Sequence, residues 1–242
     1  MKKVLAMILA AVMCTVLFAG CGGSKKSYVI LEKSLADEEY GIGFRKEDQA
    51  LRDEVERLLV EMKKDGTFAE ISKKWFDSDV CTLPDEFTPS GSDDDSLQKI
   101  KDKGTLVMGL DIALPPMGFL DEDGKVTGFD VDLAKEVCKR MGVELVTQGI
   151  DWNMKESELD AGKIDVIWNG YTINDDRKAK VNMTDAYMGN RQVLVVMEGS
   201  DIKSADDLEG KRLTLQEGST AYDALEAYPE IKASLAGGKA LH

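Results

Sequence analysis

The sequence predicts a mixed or parallel α/β protein, and three observations carry that prediction. Short apolar runs, such as Thr105–Leu110, Val143–Thr147 and Ile164–Trp168, are too short for stable helices and suit buried strands. Between them lie stretches whose apolar residues recur at helical spacing, among them Leu51, Val55, Leu58, Leu59 and Met62. Gly, Pro and Asp clusters punctuate the junctions. Strands alternating with helices in this way build a layered α/β sheet.

The first residues read as a leader. Lys2 and Lys3 precede an apolar run from Val4 to Phe18, too short to span a membrane and suited to a signal-peptide core, so residues 1–20 are read as cleaved. The small residues Ala19-Gly20 before Cys21 resemble a lipobox, with Phe18 where leucine is usual, which implies lipidation of Cys21. Residues 21–27 then act as a tether. A strand over Tyr28–Leu31, a further segment over Asp37–Phe44 and a helix from Lys46 to its stop at Gly66 follow. Thr67-Phe68-Ala69-Glu70 has the spacing of a capping box, and the helix it opens presents Phe68, Ile71, Trp75 and Phe76 to a core.

From residue 81 to 96 the periodicity stops. Pro84, Pro89, Gly91 and Asp93 to Asp95 predict a linker. Folding resumes with Leu97-Gln98-Lys99-Ile100, the strand Thr105–Leu110, a Pro-stiffened loop through Asp111 and Phe119, a turn at Asp123-Gly124 and a helix over Val131–Met141 closed by Gly142. Then come the strand Val143–Thr147, a short helix around Leu159 and the strand Ile164–Trp168. Asn169 and Gly170 are read as breaking that strand, with Asp175 opening a short helix. Val193–Met197 is a further strand, Ser204–Leu208 a capped turn, Arg212–Leu215 a strand, and Gln216–Thr220 a loop into another helix.

The formal net charge of −14 becomes −16 once Lys2 and Lys3 leave (−14 − 2), which argues against nucleic acid and against a basic membrane-binding face. The single histidine is His242, so a Ser–His–Asp or Cys–His mechanism has no internal base. There is no His-Glu-x-x-His, Cys-x-x-Cys or phosphate loop, and Asp121-Glu122-Asp123-Gly124 lacks EF-hand spacing, so neither cofactor nor metal is expected. Cys138 sits on the apolar side of its helix, where a small hydrophobe fits better than a disulfide partner.

The stretch Asp165–Arg177 concentrates the chemistry. A strand running into a turn and then a helix puts small polar groups at the carboxyl end of a sheet, where open α/β sheets bind ligands. Gly170 permits close backbone approach, Thr172 offers a hydroxyl, and Arg177 a guanidinium that can hold a carboxylate through two hydrogen bonds. Together they form a seat for a small acid.

This stretch, continued by Val181-Asn182-Met183-Thr184-Asp185-Ala186-Tyr187, resembles the S-x-S-x-T-x-x-R … F-S-x-P-Y signature of polar amino-acid solute-binding proteins of ABC importers. L-P-P-M-G-F, G-F-D-V-D-L and S-A-D-D-L-E-G-K-R within residues 97–242 resemble the first two-thirds of that family. E-E-Y-G-I-G-F-R-K-E-D and M-K-K-D-G-T-F-A-E-I-S-K-K-W-F within 28–80 resemble its C-terminal end. The resemblance therefore implies a two-lobe periplasmic-binding-protein-like fold, circularly permuted or fused from tandem copies. Residues 28–80 would give the end of lobe 2 and then part of lobe 1, 97–194 the rest of lobe 1, and 195–242 a partial lobe 2. Lobe 2 would lack about thirty residues in its middle, leaving Leu213, Leu215, Leu225 and Leu235 without cover.

By the same resemblance Asn169, Gly170, Thr172 and Arg177 seat the ligand's carboxylate, and Ser219 and Thr220 close on it from lobe 2. Asp111 matches an acid that reaches a cationic group, while Leu114, Phe119 and Trp152 line the wall. Leucine at 114, where a ring is usual, disfavours a basic amino acid by removing a cation–π contact. The family's lobe-2 aspartate for the ligand's ammonium has no counterpart. The implied function is capture of a polar amino acid outside the cytoplasm by a lipid-anchored monomer and delivery to a permease. An enzyme on the same scaffold, dehydratase-like, and an idle permuted relic are the alternatives.

Overall fold

The computed structural model describes residues 27–236; the leader, Cys21 and His242 lie outside them. Strand β1 (Tyr28–Phe44) runs unbroken where the sequence predicts two pieces. Its register against its partner shifts between Ile30 and Ser34 and again before Ala36, so the ladder is irregular there without ending.

Helices α1 (Gln49–Asp65) and α2 (Thr67–Phe76) meet at Gly66, whose φ of 88° places it in the left-handed region that ends a helix. The capping box expected at Thr67 does not form, because Gly66 takes the cap position and Thr67 falls inside the first turn. The Thr67 hydroxyl instead accepts a hydrogen bond from Arg140 Nη2 at 3.0 Å. Residues 81–95 carry no helix or strand beyond a bridge between Cys81 and Met188, and they are laid along α1. Leu83 is buried in the core, Lys63 pairs with Asp85 at 2.8 Å, and Asp94 accepts the Ala50 N–H at 2.8 Å.

The remaining elements are α3 (Ser96–Lys103), β2 (Thr105–Leu110), β3 (Ala113–Leu114), β4 (Gly118–Leu120), β5 (Val126–Thr127), α4 (Phe129–Met141) and β6 (Glu144–Gly149). After them come α5 (Lys155–Asp160), β7 (Val166–Thr172), α6 (Asp175–Lys180), β8 (Asn182–Met183), β9 (Met188–Met197), α7 (Ala221–Glu226) and α8 (Pro229–Ser234). The main sheet runs β6-β2-β7-β1-β8, with β9 also on β1. β2 is parallel to β6 and β7, whereas β1 is antiparallel to β7, β8 and β9, so the sheet is mixed. A small sheet, β3-β4-β5, flanks it. Among the described residues no helix is long and apolar enough to cross a membrane.

Side-chain alternation along β7 divides the interior. Val166 and Trp168 enter the large core built with α1 to α4, which also holds Phe44, Leu59, Phe68, Leu106 and Phe129. Ile167 and Tyr171 point the other way, onto Trp152, Leu159, Ile164 and Val181. A third cluster gathers Leu31 of β1 and Leu194 of β9 with Ala205, Leu208, Leu225, Ile231 and Leu235.

That third cluster departs from expectation. Leu225 and Leu235 are only 2% and 3% exposed, because α7 and α8 fold back over the β1–β9 ribbon. Leu213 and Leu215 stay partly buried. Arg212–Leu215 forms no strand beyond a bridge residue at Thr214: a short apolar run becomes a strand only where a neighbour offers it a ladder. On the opposite face of the ribbon, Tyr28 pairs with Met197 and Ile30 with Val195, and all four side chains lie exposed side by side.

Candidate ligand-binding site

A cavity of about 400 Å³ opens between the main sheet and the third cluster, and β7 carries Asn169, Gly170 and Thr172 to its wall. The strand does not end at Asn169-Gly170 as expected but bulges through them. Tyr171 faces Gly41 of β1 and Ile167 faces Gly43, so the β7 segment between is longer than its partner. Gly170 has φ of 52°, which favours glycine, and a Cβ there would press on the Tyr40 ring at 3.0 Å. Its N–H donates to Asp130 Oδ2 at 2.7 Å, while Asp130 Oδ1 accepts from the Tyr187 hydroxyl at 2.8 Å. Burial pushes the Asp130 carboxyl up to about 7.

Arg177 sits in the first turn of α6, where Asn174 Oδ1 caps the helix by accepting the Arg177 N–H at 2.8 Å. The side chain is 7% exposed. Nη1 donates to the Thr172 carbonyl at 2.9 Å, Nη2 to the Gly218 carbonyl at 3.4 Å, and the guanidinium carbon lies 4.3 Å from the centre of the Tyr171 ring. Burial pulls its pKa below the ordinary arginine range. Lys155, itself buried, donates to the same Gly218 carbonyl at 3.3 Å and to the Trp152 carbonyl at 3.0 Å, and burial lowers its pKa too.

The loop 216–220 is thus clamped onto the main sheet. Gln216 Nε2 donates to Asp111 Oδ2 at 2.6 Å, and the Thr220 hydroxyl lies 3.2 Å from that of Thr172. Thr220 also donates to Glu38 Oε1, and Glu38 Oε2 accepts from Asn190 Nδ2 at 2.9 Å and Gln192 Nε2 at 3.0 Å. A second, more open cavity of about 450 Å³ lies beyond Arg177 and this loop, lined by Lys155, Glu156, Asp176 and Asp223 among others.

The structure brings Leu114, Trp152, Asn169, Gly170, Thr172, Arg177, Ser219 and Thr220 to one cavity. Ser219 spends its hydroxyl on the Gln216 carbonyl at 2.7 Å. Asn169 is fully buried; its Oδ1 accepts the Asp111 N–H at 3.0 Å, and its Nδ2 has no partner. Asp111 and Phe119 are not in the wall. Asp111 reaches it only through Gln216, and Phe119 stacks edge-on against Trp75 with ring centres 5.9 Å apart. Sequence reasoning missed Tyr40, Asn190 and Gln192 in the wall and Glu38 behind it. Their signal was the period-two pattern of β1, which puts Glu38 and Tyr40 on one face, but it says nothing of the strand opposite.

The model of the bacterial extracellular solute-binding proteins, family 3, matches residues 7–78 and 106–234. The chain belongs to that family. It is 39% identical over 126 residues to the L-cystine-binding protein TcyJ of Escherichia coli, covering 51% of this chain and 47% of that one. It is 32% identical over 156 residues to a probable amino-acid-binding protein, YxeM, of Bacillus subtilis, covering 64% and 58%. A substrate-binding protein of an ABC uptake transporter from Streptococcus pneumoniae, solved with bound histidine, superposes with a TM-score of 0.58 at 42% identity, over 62% of this chain and 61% of that one. The arginine-bound form of truncated ArgBP from T. maritima gives 0.53 at 39% identity, over 57% and 65%. The fold is therefore the mixed α/β, two-lobe architecture of these binding proteins. The chain spans about half the length of the curated relatives it matches.

Proposed function

We propose that this protein captures a polar amino acid outside the cytoplasm and hands it to an ABC transporter permease, working as a binding protein and not as an enzyme. The observation that carries this reading is the convergence on one cavity of Thr172 from the main sheet, Arg177 from α6 and Thr220 from the loop before α7. A carboxylate entering there meets a buried guanidinium and two hydroxyls, and it can take the place of the Gly218 carbonyl on Nη2. Closure of the two lobes on the ligand then follows from the ligand's greater affinity for the closed state. In this reading the chain is a monomer held at the membrane through a lipid on Cys21, and residues 28–80 are the family's C-terminal end placed ahead of its beginning. The bulk of the matched relatives bind amino acids, which supports the ligand class.

The test is a titration of the purified protein with the common amino acids, read by tryptophan fluorescence and calorimetry, alongside Arg177→Ala and Arg177→Lys. At least one amino acid is expected to bind the parent. Arg177→Ala is expected to abolish that binding, and Arg177→Lys to restore little of it, since lysine lacks the planar fork. Equal affinity in Arg177→Lys and the parent would remove the carboxylate seat. For the anchor, Cys21→Ala is expected to move the protein into the soluble fraction, and continued membrane pelleting would count against lipidation.

A further inference from the structure

We infer that Glu38 supplies the carboxylate that receives the ligand's ammonium; the inference rests on reading this cavity as an amino-acid seat. Among the described residues no Asp or Glu lines the cavity, whose only charged side chain is Arg177. A zwitterion bound there would leave its cation unpaired, which is unfavourable in a buried site. Glu38 stands directly behind the wall. Its carboxylate is hydrogen-bonded to three lining side chains at once: Thr220 on Oε1, and Asn190 and Gln192 on Oε2. Asp111, Asp130 and Glu156 each reach fewer lining side chains than Glu38 does. Asp111 takes Gln216 and the Ala113 N–H, Asp130 takes Tyr187 and the Gly170 N–H, and Glu156 takes the Tyr171 hydroxyl and Lys155.

The geometry gives Glu38 a route to a ligand through Thr220. Thr220 bridges the Glu38 carboxylate and the Thr172 hydroxyl, and Thr172 carries Arg177 on its carbonyl. Acid and guanidinium are therefore linked along the wall through the two threonines. An ammonium reaches Glu38 by replacing the Thr220 hydroxyl on Oε1, leaving the amides of Asn190 and Gln192 to hold Oε2. Because the cavity then offers one cation and one anion, a second positive charge on the ligand finds no partner.

The test compares Glu38→Gln with the parent on matched pairs of ligands: L-glutamine and glutaramate, L-histidine and imidazolepropionate, L-arginine and guanidinovalerate. The second of each pair lacks only the α-ammonium. Expected is a parent that prefers the amino acid and a Glu38→Gln variant that loses about tenfold or more on amino acids while binding the ammonium-free analogues as the parent does. An equal loss on both members of a pair would make Glu38 a latch for Thr220 alone and overturn the inference. Unchanged preference in the variant would overturn it as well. A parent that binds none of the amino acids would sink the seat on which the inference depends, and that outcome is distinct from the other two.

Discussion

Two regions of this chain share strand β1 and differ in how they are held. Its C-terminal half places Ile42 and Phe44 in a core closed by α1, α2, α3 and α4. Its N-terminal half contributes Leu31 to a thin cluster beneath α7 and α8 and leaves Tyr28 and Ile30 uncovered on the other face. A sheet buried on both faces gains from each strand twice; a two-stranded ribbon covered on one face gains once. The difference teaches that the candidate cavity has one wall backed by a thick core and one backed by a thin cluster. Arg177, Thr172 and Asn169 belong to the first, and Thr220 and Ser219 to the second.

The comparison can be broken by equal truncations. Leu59→Ala, at a fully buried site amid four helices, is expected to cost about 3–5 kcal/mol in denaturant unfolding. Leu225→Ala, also buried but in the thin cluster, is expected to cost about 2 kcal/mol and to raise hydrogen exchange only within residues 202–236. Equal costs, with exchange rising throughout, would show the two regions unfolding as one unit.

Asp130 sharpens the same contrast through pH, because α4, which closes the large core, carries a fully buried acid. Its carboxyl is raised from 3.8 to about 7 by burial, so between those values the folded state keeps a proton that the unfolded chain has released. Stability must therefore fall as pH rises from about 4 to about 7, by at most about 1.4 kcal/mol per pH unit from this group. Asparagine can accept from Gly170 and donate to Tyr187, so Asp130→Asn is expected to flatten that dependence. Parallel pH profiles for parent and variant would show that Asp130 does not change its charge there.

The smallest effects are expected on the bare face of the ribbon. Ile30→Thr and Val195→Thr change exposed groups that pack only along the ribbon's bare face and should change stability by less than about 0.5 kcal/mol. A loss well above 1 kcal/mol in either would mean that this face is covered in solution.

Much of this was legible in the residues. Helical spacing located α1 and α4, and Gly66 and Gly142 marked their ends. The cavity-lining positions in the Asn169–Arg177 stretch could be named because a strand, a turn with glycine and a helix start are read from neighbouring residues. Other features were hidden for a physical reason. Thr67 had the spacing of a cap, but its hydroxyl was taken by Arg140 from another helix. Glu38 looked like one acid among many on an exposed strand, and only its pairing with β9 put Asn190 and Gln192 on its carboxylate.

The sequence alone determined the α/β class, the run of elements and the guanidinium, hydroxyls and glycine of the candidate seat, because each follows from periodicity, turn chemistry or side-chain type within a few residues. The tertiary structure decided what depends on residues far apart in the chain. It joined two predicted segments into one strand, turned an expected strand break into a bulge and closed α7 and α8 over Leu225 and Leu235. It also set Glu38 behind a wall made by residues more than 150 positions away. Hydrogen-bond partners and burial are properties of the packed chain, and no local pattern encodes which distant group will arrive.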